Sequence, residues 1–249
     1  MPTELKVGCC GFPVSRARYS KTFSVVEVQQ TFYQPPSSGT LEKWRSQVPA
    51  EFEFTMKAWQ VITHESNCLT YRRLREPLSS RQKEEAGNFR VNSTVIEAWK
   101  RTLECARILG SRRILFQCPA RFAPTPENKS NLCEFFRTIG RRTCSPGLGQ
   151  PLIFIWEPRG VWKPNEIREL CDELNLIHGV DPFLQPPVTG GIGYFRLHGG
   201  KDYRHRYTDA DLKELQRRVE GYKPCYVLFN NIGMVEDALR FKRLLSESY

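Results

Sequence analysis

Eight short runs of apolar and β-branched residues, separated mostly by helical segments, constrain the fold of this 249-residue chain more than any other feature. The fifth run, 152–157, is apolar almost throughout, which is typical of strands covered on both faces in parallel sheets. A regular succession of strand and helix favours a closed (β/α)₈ barrel of the TIM type. We expect this α/β barrel to form one domain over residues 1–249. The eight predicted strands are 5–9, 23–29, 52–57, 114–118, 152–157, 176–180, 194–198 and 225–230.

A doubly wound open sheet is the alternative fold. Its dinucleotide-binding form requires a G-x-G-x-x-G turn, and a P-loop requires G-x-x-x-x-G-K-[ST]. Neither motif occurs in the sequence, which favours the barrel. The polar stretch 63–92 is too long for an ordinary connection, so we expect short helices or a functional loop there. The clearest helical patterns are 41–48, 93–109, 128–139, 164–174 and 234–245.

The chain carries 37 Lys and Arg against 27 Asp and Glu, a formal charge of +10. This surplus favours an anionic partner, either nucleic acid or a phosphorylated metabolite, although a merely basic surface explains it too. No apolar run approaches the length of a membrane span, and the first residues lack the apolar core of a signal peptide. We therefore expect a cytoplasmic protein without a membrane partner. Arginines occur in four pairs, at 72–73, 112–113, 141–142 and 217–218.

Nine cysteines are present, an odd number, so at least one lacks a partner within the chain. Four lie in apolar or amphipathic runs and are expected to pack as small hydrophobic residues. Cys133 and Cys144 form a candidate disulfide across the end of a helix, but the sequence gives no distance between them. The four expected core cysteines are Cys105, Cys118, Cys171 and Cys225.

Polar side chains gather where the predicted strands end. In a barrel these ends converge on one mouth, where barrel enzymes place their active sites. Each residue also has a structural alternative, such as an ion pair between Glu157 and Arg159 or between Glu27 and Lys57. Asn230 and Asn231 also suit a turn, because Asn tolerates left-handed geometry. The expected site comprises Glu27, Lys57, His64, Gln117, Glu157, Arg159, Asp181, Arg196, His198, Tyr207, Asn230 and Asn231.

The residue types at these positions indicate chemistry on a phosphate-bearing ligand. Glu27 or Glu157 is the candidate general acid or base, with His64 and His198 as further catalytic candidates. Lys57, Arg159 and Arg196 suit phosphate oxygens, and the other members of the set are candidate substrate-binding residues. Lys57 is also a candidate for a Schiff base, which a desolvated barrel lysine can form.

Metal catalysis is a separate option. His64 or His198 with Glu27, Glu157 or Asp181 offers zinc ligands, and the carboxylates alone suit a harder cation. The sequence contains no H-E-x-x-H, H-x-x-H or paired C-x-x-C pattern. The identity of any metal or other cofactor, and the oligomeric state, therefore stay open.

Several segments resemble the YecE-like family, a domain of unknown function, over nearly the whole chain. They read V-E-V-Q-Q-T-F-Y at 26–33, F-T-M-K-A at 54–58 and L-F-Q-C-P at 115–119, followed by W-E-P-R at 156–159, F-R-L-H-G at 195–199 and F-N-N at 229–231. The resemblance implies a TIM-type barrel and no established reaction. Gln29 stands where the family usually has Asn. The stretch 156–162 replaces an R-H-P-like segment, and the loss of that His disfavours a metal site.

Three functions follow as hypotheses. The leading one is an enzyme that acts on a phosphate-bearing ligand or nucleic acid at the barrel mouth, and fold analogy suggests a nuclease-like hydrolase. The second is a non-catalytic nucleic-acid-binding module that uses the arginine pairs. The third is a metal-dependent isomerase or lyase of small sugars.

Overall fold

Eight parallel strands close into a barrel in sequence order, each hydrogen-bonded to the next and β8 to β1. The structure is a computed structural model that describes residues 5–140, 151–200 and 202–247. The TIM-type barrel expected from the strand count is confirmed. The strands are β1 (Leu5–Cys10), β2 (Val25–Val28), β3 (Glu53–Lys57), β4 (Arg113–Gln117), β5 (Ile153–Glu157), β6 (Ile177–Val180), β7 (Gly193–Leu197) and β8 (Cys225–Phe229).

Helices of very different lengths connect the strands. The longest, α6, has a cap at each end: the Asn92 side chain accepts a hydrogen bond from the Val95 amide, and Gly110 adopts a left-handed φ of 66°. The α-helices are α1 (Arg16–Tyr19), α2 (Gln30–Tyr33), α3 (Ser38–Ser46), α4 (Gln60–Thr63), α5 (Ser80–Glu85), α6 (Ser93–Leu109), α7 (Pro126–Gly140), α8 (Pro164–Leu174), α9 (Asp209–Val219) and α10 (Met234–Glu247).

The predicted bounds of α6 and α8 agree with the structure, whereas β2 is shorter than the predicted 23–29. Phe23 packs on the Tyr19 ring at 4.8 Å, before the strand begins. Gln29 has helical dihedrals and precedes α2, so the strand ends at Val28. The pattern of β-branched residues does not reveal either event, because both depend on neighbouring elements.

The polar stretch 63–92 holds α5 and a 3₁₀ helix, Leu69–Arg73, as its length predicts. The chain then returns to α4, where the Gly87 and Phe89 amides donate to the carbonyls of Val61 and Ile62 at 2.8 and 2.9 Å. These hydrogen bonds hold the long loop that follows β3 against α4. Residues of this loop contribute to the mouth of the barrel.

Successive side chains on each strand alternate between the barrel interior and the helical layer, so residues two positions apart share a face. A small interior cluster, which includes Val25, Leu115, Ile155 and the two tyrosines Tyr194 and Tyr226, fills the middle of the barrel. A much larger apolar cluster lies between strands and helices. The interior positions beyond this middle layer therefore project their side chains toward the two barrel ends.

The four cysteines expected in the core, Cys105, Cys118, Cys171 and Cys225, are buried. Cys144, one half of the candidate disulfide, lies outside the described residues. In the described part of the chain, no helix combines the length and the apolar character that crossing a membrane requires.

Candidate functional site

Arg196 lies at the centre of the mouth between two carboxylates. Its Nε and Nη2 donate to Glu27, with Nη2 2.7 Å from Oε1, and its Nη1 donates to Glu157 Oε2 at 2.5 Å. The arginine is 1% exposed and Glu27 is 0% exposed, so almost none of the Arg196–Glu27 pair is accessible to solvent. Charges buried this deeply are tolerated only when they are paired and hydrogen-bonded, as they are here.

Glu27 has two further partners, one on β7 across the barrel and one just after β2. Tyr194 donates its hydroxyl to Oε2 at 2.7 Å, and Gln29 donates its amide to Oε1. Burial alone would raise the pKa of Glu27, but the Arg196 guanidinium and the hydroxyl of Tyr194 lower it below its usual value. Glu27 is thus an ionised carboxylate whose oxygens are occupied by protein donors.

Glu157, at the end of β5, joins three basic side chains. Its Oε1 accepts from Arg159 Nε at 3.1 Å and lies 3.2 Å from His198 Nε2. Burial opposes its charge, yet Arg196, His198 and Arg159 hold the pKa of Glu157 well below the ordinary value. Burial also lowers the pKa of His198, whose Nε2 lies 3.0 Å from Arg159 Nη2.

Lys57 ends β3 with a buried amine. Its Nζ donates to Gln117 Oε1 at 2.5 Å and lies 3.9 Å from the centre of the Phe32 ring. Gln117 in turn donates to Glu157 Oε1 at 3.3 Å, which connects the lysine to the carboxylate indirectly. Burial and the nearby Arg196 charge lower the pKa of Lys57 to about 7.

A cavity of about 460 Å³ opens above these residues, and we call it the basic cavity. Four cationic side chains line it, contributed by β3, the 3₁₀ helix, the loop after β5, and β7. No acidic side chain is among its lining residues in the part of the chain that the structure describes. The polar lining residues are Gln29, Tyr33, Lys57, His64, Thr70, Arg73, Gln117, Arg159, Arg196, Tyr203 and Asn230.

A second cavity of about 390 Å³ lies on the other side of Arg159, which lines both. Glu157, Asp181 and His198 line this second cavity together with apolar side chains. Asp181 accepts from the His198 amide at 2.9 Å, and burial raises the pKa of its carboxyl. The mouth therefore has a basic half and a half that contains Glu157, Asp181 and His198.

His64 is buried at the edge of the basic cavity. Its Nδ1 is 2.7 Å from the Thr63 hydroxyl, and its ring packs edge-on against Phe32 at 5.0 Å. Burial, followed by the charge of Lys57, lowers the pKa of His64 to about 3. The imidazole is therefore neutral at physiological pH.

Two residues predicted to bind substrate, Asn231 and Tyr207, line neither cavity. Asn231 donates to the His205 carbonyl and to Asp237. Tyr207 accepts a hydrogen bond from the Gly199 amide at 2.9 Å through its hydroxyl and stacks on Phe183. Both residues hold the loops that follow β7 and β8, while Asn230 contacts His198 Nδ1 at 3.2 Å.

Sequence reasoning did not single out Tyr194 or Arg73 as site residues. Tyr194 precedes Arg196 by two positions, so the alternation of β7 places both inside the barrel, and this signal was available. Arg73 lies in a 3₁₀ helix that is distant in sequence from any strand end. Its guanidinium is 4.5 Å from the centre of the Tyr33 ring. Nothing in the local sequence distinguishes it from Arg72.

Carboxylate, histidine and cysteine side chains do not form a metal-binding group of three or more anywhere in the described residues. The reason is visible at the mouth, where the guanidinium of Arg196 occupies the space between Glu27 and Glu157. These two carboxylates share one organic cation, and the donor set therefore does not fit a divalent metal held between them.

Comparisons with known proteins agree with this architecture. The family described as "Protein of unknown function DUF72" matches residues 15–249. The UPF0759 protein YunF of Bacillus subtilis (strain 168) is 25% identical over 258 residues, covering 91% of this chain and 84% of that protein. A crystal structure of a DUF72 family protein from Enterococcus faecalis V583 has a TM-score of 0.70 at 20% identity and covers 97% of both chains. D-psicose 3-epimerase, solved in the presence of D-fructose, has a TM-score of 0.56 at 12% identity, covering 92% of this chain and 90% of that one.

Proposed function

The chain belongs to the DUF72 family of proteins of unknown function, the YecE-like family under another name, and we propose that it is an enzyme acting on a small phosphate-bearing substrate. The substrate would bind in the basic cavity at the barrel mouth. Neither the family description nor the fold supplies a reaction, so the proposal rests on the chemistry of the lining residues.

The observation that carries the proposal is the sign of the charge in this cavity. Lys57, Arg73, Arg159 and Arg196 line it, and the carboxylates of Glu27 and Glu157 are absent from the described lining. Buried or partly buried guanidinium groups form strong, charge-assisted hydrogen bonds with phosphate oxygens. A phosphate would therefore meet several donors and no competing carboxylate.

The size of the cavity favours a metabolite. Its volume of about 460 Å³ lies within the range of roughly 300–1,000 Å³ that is usual for small-molecule sites. A sugar phosphate or a nucleotide fits such a space, whereas a nucleic-acid duplex would have to be read on the outer surface.

The arginine pairs do not extend this cavity into one basic face. Arg73 is at the mouth, while Arg113 begins β4 at the opposite end of the barrel. Arg217 and Arg218 lie on α9, where both pair with Glu214. The pair at 141–142 lies outside the described residues. The distribution of the other three favours the small ligand over a nucleic-acid-binding module.

We assign the phosphate to Arg73 and Arg159, the two lining arginines that are least enclosed. Glu157 orients Arg159 through the 3.1 Å bond from Nε, and Glu27 positions Arg196 from below. Lys57, on the floor of the cavity, is the group that meets the reacting part of the substrate. Glu27 and Glu157 thus act through the arginines as positioning residues.

The metal-dependent sugar isomerase is less well supported. The likeness to D-psicose 3-epimerase concerns the fold alone. In this chain Arg196, Tyr194 and Gln29 already occupy the Glu27 oxygens. A metal bridging Glu27 and Glu157 would have to displace a buried guanidinium.

Isothermal titration calorimetry with ribose 5-phosphate and ribose tests the proposal. We expect the phosphorylated sugar to bind and ribose to bind at least about tenfold more weakly, because each charge-assisted hydrogen bond contributes about 1.5–3 kcal/mol. Arg73→Gln should weaken the binding of ribose 5-phosphate about tenfold or more. Arg112→Gln, at the other end of the barrel, is the control and should not. Equal binding of both sugars, or equal effects of both variants, would contradict the proposal.

A further inference from the structure

Lys57 is a buried cationic residue of the mouth that, unlike Arg196, forms no ion pair with a carboxylate in the described part of the chain. Its amine has one hydrogen bond there, to the amide oxygen of Gln117 at 2.5 Å, and it lies 3.9 Å from the centre of the Phe32 ring. A lysine held by a neutral amide and an aromatic ring keeps its lone pair available once it loses its proton. An ion pair with a carboxylate would instead stabilise the protonated form.

We propose that Lys57 forms an imine with the carbonyl carbon of a phosphate-bearing aldehyde or ketone. This inference deepens the proposed function and rests on it, because it specifies which phosphate-bearing substrates react in the basic cavity. The amine lines the same cavity as Arg73 and Arg159, so a substrate whose phosphate binds the arginines has its other end directed toward the cavity floor.

The electrostatic environment supports a nucleophilic amine at neutral pH. Burial first, then the positive charges of Arg196 and Arg159, lower the pKa of Lys57 to about 7, while Glu27 and Glu157 oppose this effect. Roughly half of the molecules then carry an unprotonated amine at pH 7, whereas an ordinary solvated lysine with a pKa of about 10.4 is almost fully protonated. A desolvated lysine of this kind is an activated nucleophile.

The reaction balances without an external oxidant or reductant. The lone pair of Nζ attacks the carbonyl carbon, the C=O π bond breaks, and the oxygen takes up a proton while Nζ releases one. The resulting carbinolamine then loses its hydroxyl with one further proton as water, and the C=N bond forms. In total, one amine, one carbonyl compound and one proton give one protonated imine and one water.

Reductive trapping tests the inference directly. The 249-residue chain is incubated at pH 7 with D-glyceraldehyde 3-phosphate and sodium cyanoborohydride, which reduces an imine to a stable secondary amine in preference to the free aldehyde. The modified peptides are mapped by mass spectrometry. We expect Lys57 to be modified at least about tenfold faster than the average of the exposed lysines. Uniform labelling across the lysines would overturn the inference.

Two variants separate a specific reaction from general amine chemistry. Lys57→Met keeps the length and apolar stem of the side chain and should abolish the fast adduct, whereas Lys43→Met on α3 is the matched surface control and should not change it. A melting curve of each variant shows whether it folds. If Lys57→Met retains the fast adduct at another lysine, the assignment to Lys57 is wrong.

A further pair of measurements distinguishes this inference from the proposed function. D-glyceraldehyde without the phosphate should modify Lys57 at least about tenfold more slowly, and inorganic phosphate should slow trapping by the phosphorylated aldehyde. Binding of ribose 5-phosphate with no adduct at Lys57 would overturn the inference and leave the phosphate site standing. A fast adduct at Lys57 that is indifferent to phosphate would support imine formation and contradict the phosphate-bearing substrate.

Discussion

The two ends of the barrel interior both contain charged clusters, but they use their charges differently. At the N-terminal end, Glu53 pairs with Lys6 and Arg113 and accepts the Tyr226 hydroxyl at 2.8 Å. This cluster is partly exposed, with 27% of the Glu53 side chain accessible, and Glu53 itself lines the adjacent cavity of about 290 Å³. At the mouth, the carboxylates lie beneath or beside the basic cavity and the cations face into it.

This difference suggests how the protein separates stability from ligand binding. At the N-terminal end, the carboxylate of Glu53 neutralises Lys6 and Arg113 where they meet solvent. At the mouth, Glu27 and Glu157 stabilise Arg196 from within the protein, and Arg73 and Arg159 face the basic cavity with positive charges that a ligand can meet. The same residue types therefore serve a structural role at one end and a binding role at the other.

The largest expected effect comes from removing the central arginine. Arg196→Met leaves Glu27 and Glu157 buried with one shared cation missing, and we expect a loss of about 3–5 kcal/mol of unfolding free energy. Arg113→Met at the other end should lower it by about 1 kcal/mol, since Glu53 keeps Lys6 and Tyr226 as partners. Urea denaturation of both variants measures the two values. Equal losses of unfolding free energy in the two variants would show that the deeper burial of the Arg196 cluster does not make it more important for stability than the Arg113 cluster.

Replacing Lys57 should increase the unfolding free energy, whereas replacing Arg196 should decrease it. Because the pKa of Lys57 is lowered to about 7, the unfolded chain binds this proton more tightly than the folded one, and the lysine destabilises the fold below pH 7. Lys57→Met should therefore raise the unfolding free energy by roughly 2–4 kcal/mol at pH 6, allowing for the lost contact with Gln117. The gain should shrink as the pH rises from about 7 toward 10.5.

Lys6→Met is the control at the opposite end, because its amine pairs with Glu53 at a partly exposed position. It should lower stability by at most about 1 kcal/mol. Denaturation at pH 6 and pH 9 compares the variants. A Lys57→Met protein that is less stable than the wild type at pH 6 would contradict a strained, desolvated amine.

A smaller effect is the loss of stability at acidic pH that arises from His64. The pKa of His64 is lowered to about 3 by burial and by Lys57, so the unfolded chain gains a proton on this residue below pH 6.5 that the folded chain does not. The neutral form contributes its full stability above pH 6.5, and that contribution decreases as the pH falls toward 3. From pH 6.5 to 4.5, His64 should account for a loss of about 2 kcal/mol.

His64→Gln should flatten that part of the pH–stability curve while keeping a side chain that can contact Thr63. Urea denaturation at pH 6.5, 5.5 and 4.5 gives the slopes for the two proteins. Parallel curves would mean that His64 is protonated in the folded state, against its position among buried and positively charged groups.

The barrel fold could be predicted from the sequence because each strand has a local apolar pattern. Eight such strands alternating with helices are typical of one closed barrel. The convergence of parallel strand ends also predicted one site for the polar side chains at those ends. Lys57, Gln117, Arg196 and Asn230 do line one cavity, whereas Glu27 and Glu157, predicted for the same site, are absent from its lining. The sequence could not reveal that Arg196 bridges Glu27 and Glu157, because that pairing joins β7 to β2 and β5 across the barrel. Arg73 was missed for a similar reason: a long loop brings it to the mouth through contacts distant in sequence.

We propose that, among the charged clusters at the two ends of the barrel in the described residues, the basic cavity at the mouth is the one that binds phosphate. Anomalous diffraction from crystals soaked in tungstate, a tetrahedral oxyanion like phosphate, locates such a site directly, and a titration of the soak concentration ranks the sites by occupancy. The account predicts that the first site to fill lies above Lys57, within hydrogen-bond reach of Arg73 or Arg159, and that ribose 5-phosphate displaces it. Tungstate that fills first beside Lys6, Arg112 and Arg113 at the opposite end, with the mouth unoccupied, would contradict it.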